Sequence, residues 1–182
     1  MSLLGLFVFV GFFCAVFSIY GQVYMGPKTS GKDDSRSSIK CPGGSTGIKC
    51  KCVPGPRSIC DGAWFRRDKA TCVAQTGGKK IAQIFRSFFS RRVRSFVQAR
   101  VTCSSDISRD MITLVGNLSP NRRGLESCPT GTKLISCTIY THISHLYKRH
   151  ETVPVIRGNT CAAQKTCNKC AVQVVCLQET TP

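Results

Sequence analysis

The chain carries 26 Lys and Arg against nine Asp and Glu over 182 residues, a formal net charge of +17, and it holds 13 cysteines. Nine scattered carboxylates are too few for a glycosidase pair or a calcium loop, and no serine, histidine and acid fall into a hydrolase pattern. The composition therefore reads as non-enzymatic, without cofactor or metal, and the charge points to polyanions: an acidic polysaccharide such as a sulfated glycan, an acidic matrix protein, an anionic membrane surface or nucleic acid.

From Leu3 to Ile19 the chain is apolar apart from small residues, and no charged side chain precedes Lys28. Residues 1–21 read as a secretory signal peptide, cleaved after Gly21 to leave Gln22 first. A membrane anchor is the competing reading, for which the run is at the short end. Secretion ranks nucleic acid last among the partners. It also removes Cys14 and leaves twelve cysteines, an even number that implies a disulfide framework. Residues 22–40 are polar and Gly/Ser-rich without apolar periodicity, and a flexible extension is expected there.

One pattern then occurs twice. CPGGSTGIKC (Cys41 to Cys50) matches CPTGTKLISC (Cys128 to Cys137), ATCVAQ around Cys72 matches NTCAAQ around Cys161, and FVQARVTC ending at Cys103 matches AVQVVC ending at Cys176. A repeat is strong evidence of architecture. It predicts a Cys-rich module over 41–103, a connector over 104–127, a second module over 128–176 and a tail over 177–182. Each module is too small to rest on a hydrophobic core alone, and covalent staples supply the remainder. The first carries a net +11 and the second +5, so the first is the electrostatic pole.

In the first module Ile48, Cys50 and Cys52 alternate with Lys49 and Lys51, which is strand periodicity, and the Pro-Gly-Pro run after Val53 ends that strand. Trp64 is expected as a core anchor, followed by a short strand over 71–75 around Cys72. Ile81, Ile84, Phe85, Phe88 and Phe89 then fall on one stripe of a short amphipathic α-helix, with basic residues around it. Beyond Arg94 the period returns to two, and Val97, Ala99, Val101 and Cys103 form one face of a strand. The interval from Cys72 to Cys103 is 31 positions and its counterpart is 15, so the basic, Phe-rich segment is an insertion of about sixteen residues on the shared frame. Lys79, Lys80, Arg86, Arg91, Arg92, Arg94 and Arg100 are the candidate polyanion-binding residues. Arg91 to Arg94 also fits a minimal basic convertase cleavage pattern.

The connector contains a candidate strand over 111–115 and a glycosylation sequon at Asn117, with Pro120 just beyond. The second module shows strands over 134–140, 153–156 and 171–177. His142, His145 and His150 lie between them, near Lys148 and Arg149, whose charge disfavours a bound cation, so they read as a solvent-facing loop and not a metal site. The frame is β-rich. The shared cysteines suggest Cys50–Cys72 with Cys137–Cys161, and Cys41–Cys103 with Cys128–Cys176, leaving Cys52–Cys60 and Cys167–Cys170 to pair locally. Six cysteines allow fifteen connectivities per module. A redox-active Cys167-x-x-Cys170 is disfavoured because the βαβ context of such motifs is absent.

A Cys-Pro-x-Gly turn with a second Cys nine residues on, an NTC, and a closing strand ending in Cys resemble the cysteine-rich repeats in the C-terminal domain of the secreted convertase that regulates the LDL receptor, and more distantly the resistin head. The resemblance is best over Cys128–Cys176. It implies two tandem, disulfide-stapled antiparallel β-sandwich modules, an all-β fold apart from the inserted helix, serving as a protein-interaction surface. It also implies the Cys137–Cys161 pairing and closure of the first Cys of the turn onto the terminal strand. Repeats of that family carry a further Cys upstream and a closing Cys-Cys, whereas Leu177 follows Cys176 and Ser104 follows Cys103 here, so the third bridge differs and receptor regulation is not implied. Small secreted Cys-rich proteins of this style are also similar to invertebrate extracellular and shell matrix components. The expected function is a secreted, non-enzymatic matrix component that binds acidic polymers, as in the organic matrix of a mineralised layer. The alternative is a cationic defence or signalling protein, with 79–94 acting on anionic membranes or a receptor.

Overall fold

The structure, a computed structural model, describes residues 21–29, 35–56, 58–79, 96–116, 124–141, 154–163, 167 and 170–179. The described residues are nearly all β and contain no α-helix. The first six strands are β1 (Gln22–Met25), β2 (Arg36–Lys40), β3 (Thr46–Pro54), β4 (Ser58–Phe65), β5 (Thr71–Lys79) and β6 (Val97–Ser104). After a single 3-10 turn at Arg109–Met111 come β7 (Ile112–Val115), β8 (Leu125–Ser127), β9 (Thr132–Thr141), β10 (Pro154–Arg157), β11 (Thr160–Ala163) and β12 (Cys170–Gln178).

The pairing of these strands is one arrangement made twice. β1, β6 and β3 form one antiparallel sheet and β2, β5 and β4 the facing one; β7, β12 and β9, then β8, β11 and β10, repeat the same orders. The registers agree in detail. Cys50 lies opposite Val101 and Cys137 opposite Val174; Ile39 lies opposite Cys72 and Glu126 opposite Cys161. Even the irregularity recurs. β3 has one extra residue, Ile48, between Gly47 and Lys49, and β9 has one, Ile135, between Leu134 and Ser136. A bulge bends its strand and fixes the register on either side, which is why it is retained in both copies.

The equivalence corrects the boundaries read from sequence. Within the expected extension over 22–40, β1 and β2 are the first two strands of the first module. Residues 104–127 are not only a connector: β7 and β8 are the matching strands of the second. The copies thus run from Gln22 to Ser104 and from Ile112 to Gln178, with Leu177 and Gln178 of the supposed tail closing β12. The extension lacks an apolar pattern because a serine takes a core position. Ser37 is fully buried; its hydroxyl donates to the Pro27 carbonyl at 2.6 Å and accepts the Ala99 N–H at 2.9 Å. With both functions paired to backbone, burying the hydroxyl carries no desolvation penalty.

Each module's core lies between its two sheets and is spanned by disulfides. In the first, Phe65, Ala74, Ala99 and Val101 surround Cys50–Cys72 and Cys41–Cys103, and Cys52–Cys60 ties β3 to β4. In the second, Ile139, Val172 and Val174 surround Cys137–Cys161 and Cys128–Cys176, with Cys167–Cys170 at the start of β12. Four of these pairs are those suggested by lining up the two copies, and Cys52–Cys60 and Cys167–Cys170 are the local pairs left over.

The modules join edge to edge. β4 of the first meets β9 of the second at Gly62 opposite Tyr140, which makes one six-stranded sheet in the order β2-β5-β4-β9-β12-β7. Gly62 is required there: its φ is +146°, and a Cβ would come 2.3 Å from the Ile139 carbonyl oxygen. Beyond that point the side chain of Gln173 replaces a strand. Its Oε1 accepts the Phe65 N–H at 2.7 Å and its Nε2 donates to the Phe65 carbonyl at 3.0 Å. Trp64 anchors the joint, edge-on to Tyr140 with ring centroids 4.6 Å apart and packed with Val73 and Ala171.

Candidate functional site

The residues of β3 alternate sharply. Cys50 is buried and bonded to Cys72, which turns Lys49 and Lys51 to the outer side of the sheet. On β6, buried Val101 turns Arg100 the same way, and Arg100 lies directly opposite Lys51, with Thr102 opposite Lys49. On β1, Val23 and Met25 complete this face at 48% and 45% exposure, opposite Thr102 and Arg100. None of the three strands contains an acidic residue, and among the described residues no side chain pairs with Lys49, Lys51 or Arg100.

Like charges directly opposite each other on adjacent strands are unfavourable, because their side chains start about 5 Å apart. The second module shows that the frame does not demand this arrangement. At the equivalent positions it carries Ser136, Thr138 and Gln173, each only 6% exposed, since this face of β9 and β12 lies under the first module. One face of the shared frame is thus neutral and docked in the second copy, and cationic and open in the first.

No family model matches the chain, and no curated protein is found as a relative. The assignment of a site therefore rests on the molecule's own two copies. Of the candidates named from sequence, Arg100 lies in the basic face. Lys79 ends β5, and nothing of its side chain is described. Lys80, Arg86, Arg91, Arg92 and Arg94, with the amphipathic stripe and the convertase pattern, lie outside the described residues. So do the expected signal segment up to Tyr20, Asn117, and His142, His145 and His150. Lys49 and Lys51, which are not among those candidates, lie in the basic face, and their alternation with Cys50 and Cys52 is visible in the sequence.

Among the described residues no cluster of His, Cys, Asp and Glu could hold a metal ion, and no helix is long and apolar enough to cross a membrane. Six disulfides are compatible with an extracellular protein, since such bonds persist in oxidising compartments.

Proposed function

We propose that this is a secreted, non-enzymatic matrix component that binds acidic polymers through the outer face of its first module. The reading is supported chiefly by Lys51 set opposite Arg100, with Lys49 one step along the strand, on an open face without a carboxylate. The second copy carries Ser, Thr and Gln at the same places, so the cations are an addition to the frame. Sulfate and carboxylate groups spaced along a polysaccharide or an acidic matrix protein supply the missing counter-charge. A disulfide-braced sandwich suits a durable extracellular layer, including the organic matrix of a mineralised one, and glycosylation at Asn117 belongs to the same reading.

Retention of the disulfide-bonded protein on a sulfated-glycan column tests it. The protein binds at low salt and elutes well before about 0.5 M, where the screening length has fallen to a few ångströms. The triple variant Lys49→Ser, Lys51→Thr, Arg100→Gln carries the second module's own residues, and it elutes at markedly lower salt with an unchanged thermal melt. Binding indifferent to salt, or a triple variant retained like the parent, overturns the proposal.

A further inference from the structure

We infer that the first module holds two acidic polymer chains at once, one on each side of its sandwich, and so acts as a cross-link. This rests on the proposed polymer binding and extends it to a second surface. On the sheet β2-β5-β4 the residues facing the first sheet are Ser37, Ile39, Cys72, Ala74 and Phe65; on the opposite side Trp64, Val73 and Gln75 are themselves buried, and the exposed charged positions at its margins are Arg36, Lys40 and Arg66. Lys40 lies opposite Thr71, and the Arg66 N–H donates to the Thr71 carbonyl at 2.9 Å, which sets Lys40 and Arg66 in one row across three strands. Arg36 stands on the same face. Its guanidinium lies 5.5 Å from the centroid of the Trp64 ring, and its Nε donates to Gln75 Oε1 at 3.0 Å. All three cations are exposed.

Among the described residues of β2, β4, β5 and the turn between β4 and β5 there are two acids. Asp61 on β4 is buried. Asp68 stands in the β4–β5 turn beside Lys40, and its two oxygens are engaged by the Ala70 and Thr71 N–H groups and the Thr71 hydroxyl. Asp68 offsets one of the three cations, and among the described residues a surplus of positive charge remains on Arg36, Lys40 and Arg66. The second module has Ser127 where the first has Lys40, so this cation is particular to the first copy, whereas Arg157 stands where the first has Arg66.

The two basic faces stand back to back. Stacked sheets are about 10 Å apart before their outward side chains are added, so the two sets of cations are separated by more than a screening length. One extended polymer chain does not reach both. A covalent path connects them: Cys50, between Lys49 and Lys51, is bonded to Cys72, which adjoins Thr71 in the row of Lys40 and Arg66. Pull applied to one chain passes to the other through a disulfide.

A sandwich assay tests this. The protein is captured on immobilised sulfated polysaccharide, the surface is washed, and a fluorescent chain of the same polymer is offered. The parent protein recruits it. Lys40→Ser with Arg66→Ser, and separately the triple variant of the other face, are loaded to equal density, and each recruits roughly tenfold less, the effect of a few exposed charges lost together. Thermal melts equal to the parent's show that the variants are folded. Capture without recruitment by the parent, or full recruitment by either variant, overturns the inference while polymer binding stands. Absence of capture by the parent at low salt overturns the polymer binding itself.

Discussion

At the residue scale the clearest electrostatic device is Asp68. Burial raises its pKa, but the hydrogen bonds from the Thr71 hydroxyl and from the Thr71 and Ala70 N–H groups, with the nearby Lys40 charge, outweigh this and hold the carboxyl below its ordinary value. The turn it braces needs the help, because Lys69 sits at a positive φ of 56°, a conformation unfavourable for a side chain. A carboxyl whose folded pKa lies below its unfolded one stabilises the fold above the ordinary carboxylate range of about 4, and that contribution is lost as pH falls through the folded pKa. Asp68→Asn is accordingly less stable than the parent at neutral pH. Denaturant titrations repeated at decreasing pH show the two proteins converging below about pH 4, and a gap that widens instead contradicts the assignment.

At the scale of elements, the joint between the modules depends on a side chain behaving as a strand. Gln173 gives Phe65 one acceptor and one donor, as a neighbouring strand would, and all of it is buried. Gln173→Ala leaves a buried N–H and a buried carbonyl without partners, at about 1–3 kcal/mol each. Urea unfolding should report a loss of about 3 kcal/mol, and a midpoint unchanged from the parent would show that the amide is dispensable. Strands with alternating apolar residues, such as β6, were legible in the sequence, and so was the cysteine pairing, because the second copy constrains the first. β1 and β2 were not legible. A buried serine bonded to backbone looks the same in a sequence as a serine in a loop. The joint was also hidden, since neither Gly62 nor Gln173 carries a local signal of its distant partner. Lys49 and Lys51 were visible as an outward row. Which copy kept that face open depends on how the modules dock, and only the comparison with Ser136, Thr138 and Gln173 decides it.

At the scale of the whole molecule, the disulfides close loops of very different length. Cys41–Cys103 spans 62 positions and Cys52–Cys60 spans eight. Loop-closure entropy gives the longer bridge about 4 kcal/mol and the shorter about 2.5 kcal/mol. Replacing both cysteines of each pair with alanine should therefore lower the thermal midpoint more for Cys41–Cys103, and the reverse order would show that local strain governs stability. The mode of joining has a further consequence. The second sheet of the first copy meets the first sheet of the second, so the two copies follow one another like carriages and are not related as mirror ends of a dimer. Such a step has a direction, and repeating it gives a ring if the rotation closes and an open series if it does not. On the matching flank of the second copy, Ile156 of β10 is exposed where the first copy buries Phe65. An exposed apolar residue on that flank marks a joint that the first copy makes and that, among the described residues, the second copy does not.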